Sequence, residues 1–469
     1  MRKFDTKVQH LKYKVLREVA RAEWNGNLTE SIFTIPKMIS PGPHSTMRCC
    51  IHKERAILSE RIHLAMGGDR TRTNPIKVIG IACDECPTSG YAVTEICRGC
   101  LARHCMDACP KDAIYIKDDL HAVIDKNKCI NCGLCAKACS YGAIVDRKRP
   151  CERACKVGAI SMAESGEAQI NDDKCISCGA CIYQCPFGAA SDKSRIVDVV
   201  RMLKDGSRVY AVVAPSIASQ FSYAKLGQVV AGIKALGFHE VLEAALGADL
   251  VAWNESDELA EKGFLTSSCC PAFVLYVEKF FPKLKDKVSH NPSPMTAMGR
   301  YIKEIDPQAK VVFVGPCTAK KMEQTRPEVE PWVDSVLTFE ELQALFDSRD
   351  LEISTLEEAV LDDASFFGRI FARSGGLSEA VAQALKEKGS DFEAKPEVCS
   401  GIEECRMALL KAMAGKADFN FIEGMACING CINGAGCLTH GAKNKTGVDK
   451  YGAEATDKTI AGALEGMRK

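Results

Sequence analysis

The chain has 469 residues, enough for two or three domains that each bury a core, so size alone gives it no need of cysteine cross-links. Its 61 Lys plus Arg equal its 61 Asp plus Glu, which removes any composition-level case for a nucleic-acid or anionic-membrane partner. No apolar run approaches the ~18 residues that span a bilayer, and the charged N-terminus MRKFDTKVQHLKYK lacks a signal peptide's apolar stretch. The expectation is a soluble, cytoplasmic protein. What stands out is 26 cysteines. They fall in C-x-x-C-x-x-C-x-x-x-C runs, which is ligand spacing, and reduced thiols imply a reducing compartment.

Residues 1–78 form an N-terminal extension with few structural signals, apart from a helical spacing of apolar residues in ERAILSERIHLAMGG (54–68) that ends at a glycine pair. Cys49 and Cys50 precede it and read as ordinary buried or free thiols. Residues 79–195 read as two ferredoxin-like modules, with 16 cysteines in the 103 residues from 83 to 185. A short echo, PKDAI, SYGAI, KVGAI and PFGAA, follows Cys109, Cys139, Cys155 and Cys185, and the first and last pairs of these cysteines are both 30 residues apart. In two-cluster ferredoxins the fourth cysteine of each run ligates the other cluster. Applied here, Cys97, Cys100 and Cys105 take Cys139; Cys129, Cys132 and Cys135 take Cys109; and Cys175, Cys178 and Cys181 take Cys155. Cys83, Cys86, Cys151 and Cys185 remain. They make a fourth cubane, or else there are three, with Cys83 and Cys86 as structural thiols or a zinc pair. His104 reads as a solvent-facing loop residue.

From about residue 205 strands alternate with helices: RVYAVVAPS (208–216), KVVFVGPC (310–317) and ADFNFIEG (417–424) read as buried strands and PAFVLYVEKFF (271–281) as a helix. Ligands of such α/β folds sit at the carboxyl ends of strands. Three cysteine loops lie there: TSSCCPAF (266–273), GPCTAKKME (315–323) and EGMACINGCINGAG (423–436). Pro271 suits a first helical position, so Cys269 and Cys270 should sit at a helix N-terminus, where the dipole favours thiolate. Cys399, Cys405 and Cys437 read as structural or free thiols, and residues 441–469 as a polar tail.

These three loops resemble, in order and spacing, the signature loops of the iron-only (di-iron) hydrogenases, and the likeness extends over roughly residues 80–440. The resemblance implies α+β ferredoxin-like iron-sulfur modules followed by an α/β two-lobed iron-hydrogenase catalytic domain, residues 205–440. It implies an H-cluster, a 4Fe-4S cubane on Cys270, Cys317, Cys427 and Cys431, with Cys431 bridging to a di-iron subsite that carries CO and CN ligands. Pro215, Ser216 and Ser293 are implied cofactor contacts. Cys269 would exchange protons with the subsite, Lys320 would hydrogen-bond a cyanide, and Met425 would pack near the bridging ligand. Glu255, Glu258 and Ser289 look like the family's proton channel, in the order Cys269, Ser289 with water, Glu255, Glu258, with both carboxylates partly buried and raised in pKa.

Three positions depart from the family pattern: Gly315 replaces a methionine, Met295 stands in SPM where SPQ is usual, and Phe273 replaces a tryptophan. They point to a divergent subgroup. The implied activity interconverts protons and electrons with H2, with ferredoxin as redox carrier and maturation proteins supplying the di-iron subsite. The alternatives are a hydrogen sensor of the same fold and a cubane-only iron-sulfur assembly protein, which needs neither Cys269, Lys320 nor Met425.

Overall fold

The computed structural model describes residues 4–87 and 89–467. Its N-terminal extension holds more order than its sequence advertises, with helices at Lys7–Trp24, Leu28–Ser31, Ile35–Ile39 and Ile51–Ala65. Thr6 opens the first of these through a capping box with Gln9. Its buried face, Tyr13, Leu16, Val19 and Ala20, packs against helices Phe339–Ser348 and Ile196–Lys204 of the following domains. The polar spacing concealed this, because part of the buried face is ionic. Lys12 Nζ lies 2.5 Å from Asp192 and 2.6 Å from Glu340, and Lys321 reaches the same Asp192 at 2.7 Å and Glu341 at 2.8 Å. This buried network ties the N-terminal helix, the end of the cysteine-rich region and the second cysteine loop together.

The cysteine-rich region is built from four antiparallel strand pairs: Tyr91–Val93 with Ile144–Asp146, Ile114–Ile116 with Ala122–Ile124, Ile160–Met162 with Ala168–Ile170, and Ile76–Val78 with Ala190–Asp192. The sequence echo has a physical cause. In each copy the amide four residues after the cysteine, at Ala113, Ala143, Ala159 and Ala189, donates to that cysteine's sulfur at 3.2–3.4 Å. The turn requires a left-handed residue one place earlier. Gly142, Gly158 and Gly188 fill it at φ +60° to +62°, and Asp112 at +45°.

The catalytic region has two parallel sheets. One runs in the order Glu240–Glu243, Val209–Val213, Lys310–Gly315, Ser335–Thr338, and the other in the order Leu265–Thr266, Phe421–Met425, Pro396–Ser400. The third expected strand begins at Phe421, not residue 417. The tail is not merely polar: helices Asn444–Ala453 and Ile460–Met467 dock on the catalytic core, with Ile460, Ala463 and Leu464 inside it. Among the described residues no helix is long and apolar enough to cross a membrane.

Lys12→Ala would leave Glu340 without its cation and Asp192 with one of its two. We expect a loss of about 3 kcal/mol, seen as a lower thermal unfolding midpoint, with Lys12→Arg retaining most of the stability.

Candidate active site and its cluster-binding cysteines

All three cysteine loops leave the carboxyl ends of parallel strands and converge between the two sheets. Cys270 is the N-cap of helix Pro271–Phe280 and Cys317 that of helix Thr318–Glu323, while Cys427 follows strand Phe421–Met425. Cys431 comes after Gly430, whose φ is +87° and where a Cβ would lie 2.8 Å from the Ser374 amide nitrogen. The second and third loops interlock, since Gly436 donates to the Pro316 carbonyl at 2.8 Å and a Cβ on Gly434 would meet that oxygen at 2.4 Å.

The four thiols feel one another. Burial raises Cys317 to about 11, with Cys270 next among the causes. Cys431 is pushed up by burial and then by Cys317 and Cys270, and Cys427 by burial and then by Cys317, Cys270, Cys178 and Cys431. Beside them lies a cavity with about 640 Å³ of inter-atomic space, lined by Pro215, Ser216, Cys269, Cys270, Met295, Phe313, Cys317, Lys320, Met425 and Cys431 among others. Its walls are almost entirely apolar, yet the Ser216 hydroxyl is fully buried there with no hydrogen-bond partner. Four soft, mutually repelling thiols at one end and an orphaned hydroxyl, a lysine and a free thiol at the other suit a cubane with a further polar metal group attached.

Ser293 does not line this cavity. It caps helix Pro294–Ile305 by accepting from the Thr296 amide, and it is the following Pro294 and Met295 that face the cavity. The place of a side chain at Gly315 is taken by the Phe313 ring, which a Cβ there would approach to 2.5 Å. Phe273 is fully buried over Gly424, where a Cβ would come within 2.4 Å of the ring.

Cys269 contradicts one expectation. Burial outweighs the helix dipole, and Glu255, Cys270 and Cys431 add negative charge nearby, so its thiol is raised, not lowered. The cavity keeps Cys269 as a proton-bearing thiol. Lys320 is held by Glu323 at 2.7 Å, and its ammonium donates weakly to the Cys269 carbonyl at 3.4 Å. Met425 is buried at the end of its strand.

The relay residues meet in a different order from the one expected. Glu255 and Glu258 lie on helix Ala244–Lys262, and Ser289 sits between them: its hydroxyl donates to Glu258 at 2.9 Å and also bonds the Glu255 carboxyl. The observed sequence is Cys269, Glu255, Ser289, Glu258. Glu255 is fully buried, accepts from the Ser268 amide at 3.3 Å and has one carboxylate oxygen without a partner. Burial raises its pKa to about 7. Glu258 moves the other way. Burial alone would raise it, but bonds from Lys262 at 2.6 Å, the His290 amide at 3.1 Å and Ser289 together lower it. Asn291 adds a bond at 2.9 Å. Sequence reading passed over Ser268, Asn291 and Lys262. Only Lys262 had a legible signal, four residues after Glu258 on one helical face.

The remaining cysteines assemble in foursomes. Cys97, Cys100, Cys105 and Cys139 surround about 380 Å³ of inter-atomic space, and Cys109, Cys129, Cys132 and Cys135 surround about 330 Å³. Cys181 is raised by burial and then by Cys178, Cys175, Cys155 and Cys151. Cys151 reaches about 11 through burial and then Cys185 and Cys83, and those two cysteines also raise Cys86 after burial. The Cys175–Cys181 loop abuts the active-site loops: Thr318 donates to the Ser177 carbonyl at 2.9 Å, and a Cβ on Gly179 would lie 2.4 Å from Ala435. Among the described residues, no three His, Cys, Asp or Glu side chains close on a single metal ion. Cys399, Cys405 and Cys437 are buried and free; Cys49 and Cys50 are exposed, and Cys50 caps helix Ile51–Ala65.

The site and its foursomes define a multi-cluster iron-sulfur protein with a dry, cysteine-lined cavity at the end of the series. Residues 207–435 match the family "Iron only hydrogenase large subunit, C-terminal domain", and residues 96–143 and 149–189 match "4Fe-4S dicluster domain". The chain belongs to the iron-only hydrogenase family. It is 27% identical over 284 residues to "Iron hydrogenase 1" of Clostridium pasteurianum, covering 49% of this chain and 50% of that protein. It is 28% identical over 413 residues to the "Periplasmic [Fe] hydrogenase large subunit" of Nitratidesulfovibrio vulgaris, covering 75% and 92%. A 134-residue stretch is 34% identical to the "Cytosolic Fe-S cluster assembly factor NAR1" of Meyerozyma guilliermondii, covering 24% and 25%.

Because the folded pKa of Glu255 is raised to about 7 from 4.5, the folded state holds its proton more tightly than the unfolded chain. This contribution is present below about pH 4.5 and is lost as pH rises through about 7. Glu255→Gln should therefore gain stability relative to the parent between pH 5 and 8, by up to about 3 kcal/mol, measured as diverging unfolding midpoints.

Proposed function

We propose that this chain is an iron-only hydrogenase catalysing the reversible reaction of two protons and two electrons with dihydrogen. The observation that carries the reading is the joint presence of Cys269, Lys320 and Met425 on the wall of one apolar cavity that also contains Cys270, Cys317 and Cys431. A cubane on Cys270, Cys317, Cys427 and Cys431, with a di-iron subsite bridged at Cys431, supplies the chemistry of making and breaking the H–H bond when bound.

The chain's own residues do the rest. The apolar wall excludes water from the cavity. Lys320, fixed by Glu323, presents an ammonium that can orient a cyanide by a charge-assisted bond. Cys269 holds a proton at Sγ beside the cavity. Glu255, half-protonated near neutral pH, exchanges that proton with Ser289, and Ser289 with Glu258, which opens to solvent beside Lys262 and His290. Electrons travel separately, through four accessory cubanes, to the Cys175–Cys181 loop that touches the active-site loops. Their source is a ferredoxin-like carrier, and maturation proteins deliver the subsite.

The second reading is a cubane-only assembly factor, favoured by the likeness to the yeast protein. Such a protein has no use for a proton-bearing thiol or a cavity lysine.

Hydrogen evolution from reduced viologen, on anaerobically matured protein, tests the choice. Cys269→Ala and Glu255→Gln should each lower turnover by about 10²-fold or more while leaving the cubane electron-spin signals intact. Glu258→Gln, nearer solvent and replaceable by water, should cost less. Turnover indifferent to Cys269 would contradict the reading.

A further inference from the structure

The accessory cysteine sets differ in how they meet the surface. In the set formed by Cys109, Cys129, Cys132 and Cys135, Cys132 is exposed, whereas every other cysteine in the four accessory sets is buried or half-buried. The chain around it is charged in one sense. From Lys126 to Val145 there are three lysines and no aspartate or glutamate. Lys128 and Lys137 are exposed, and Lys111 joins Cys109 and Cys132 in lining the same small cavity. Lys126 is partly committed, since its ammonium donates to the Tyr91 carbonyl. Of the nearest carboxylates, Asp125 accepts the Asn127 amide at 2.9 Å, and Asp112 is exposed beside Lys111. Ile130 and Leu134 stand out on this rim at 57% and 44% exposure. The set of Cys97, Cys100, Cys105 and Cys139 is flanked differently, because Glu95, Asp107, Asp118 and Asp119 offset Arg98 and Arg103.

We propose that the Lys111, Lys128, Lys137, Ile130 and Leu134 rim is the docking face for a small acidic one-electron carrier protein, and that electrons cross at the cluster held by Cys132. The proposal rests on the accessory clusters of the proposed function, and not on hydrogen turnover. In the forward step the reduced carrier loses one electron and the Cys132 cluster gains it; no bond is made or broken. Lysines that face solvent steer an acidic partner, accelerating encounter by about 10- to 10³-fold at low salt. Two exposed aliphatic side chains give a small dry contact around the point of transfer, enough for a transient complex and too little for a permanent one. An exposed ligand sulfur keeps the tunnelling distance short. No other cluster combines the three.

The test uses the full chain produced without maturation proteins, its cubanes reconstituted and counted by electron spin resonance. It is mixed in an anaerobic stopped-flow instrument with a chemically reduced, acidic [2Fe-2S] ferredoxin, and bleaching of the iron-sulfur absorbance is followed. The Lys128→Glu/Lys137→Glu variant should lose about 10-fold or more of the second-order rate at low salt. It should approach the parent at high salt, where screening acts within a few ångström, and be reduced by dithionite as the parent is. Lys128→Gln/Lys137→Gln should fall between them. A control variant at the other cluster, Glu95→Lys/Asp118→Lys, should show no loss. An unchanged rate in the Lys128→Glu/Lys137→Glu variant overturns the proposal, as does a salt-independent rate in the parent. Absence of cubane signals in the reconstituted parent would overturn the cluster content itself, and this proposal with it.

Discussion

Burying four cysteines side by side is unfavourable in either protonation state. As thiols they leave poor donors in a dry interior, and as thiolates they repel. Cys178 shows the strain, raised to about 12 by burial and by neighbours that include Cys175, Cys155 and Cys270. The chain accepts this arrangement five times, which makes sense when a cationic iron-sulfur core neutralises each set and couples its binding to folding. Much of the remaining architecture supports these foursomes: short antiparallel strand pairs, amides aimed at sulfur, left-handed turns after the echoes, and interlocked glycine loops at the catalytic end.

Electrons and protons are given different materials. The electron route is sulfur and backbone, with the contact of Thr318 on the Ser177 carbonyl joining the last accessory set to the active-site loops. The proton route is a line of carboxylates and a hydroxyl on the opposite side, from Glu255 next to Cys269 out to Glu258 at the surface. Their environments separate their pKa values. Full burial raises Glu255, whereas a lysine and two amide-type donors lower Glu258. An acid at one end and a base at the other give the line a direction set by solvent pH. The apolar cavity wall keeps other paths from competing.

The cysteine spacing made both the modules and the three loops legible, because ligand geometry leaves a periodic mark that needs no tertiary information. The echo after Cys109, Cys139, Cys155 and Cys185 even marked the turn whose amide bonds sulfur. What stayed hidden was long-range. Lys12 looked like one charge in a charged terminus until Asp192 and Glu340 were brought to it across more than 170 residues of sequence. The order of the relay could not be read either, since Ser289 reaches Glu255 and Glu258 only through the docking of its loop on their helix. The sign of the Cys269 shift was misjudged for the same reason. A helix N-terminus is visible in sequence, but the burial that overrides it is not. Ser293 looked like a cofactor contact and proved to be a helix cap, because Pro294 turns the chain so that Met295 faces the cavity.

The central claim is that the cavity beside Cys270, Cys317, Cys427 and Cys431 receives a di-iron subsite. Infrared spectroscopy of the anaerobically matured chain tests it most directly. The account predicts cyanide and carbonyl stretching bands, with the cyanide bands shifted when Lys320→Met removes the ammonium. A preparation that carries the four-cysteine cubane and was exposed to competent maturation proteins, yet shows no such bands, would contradict it.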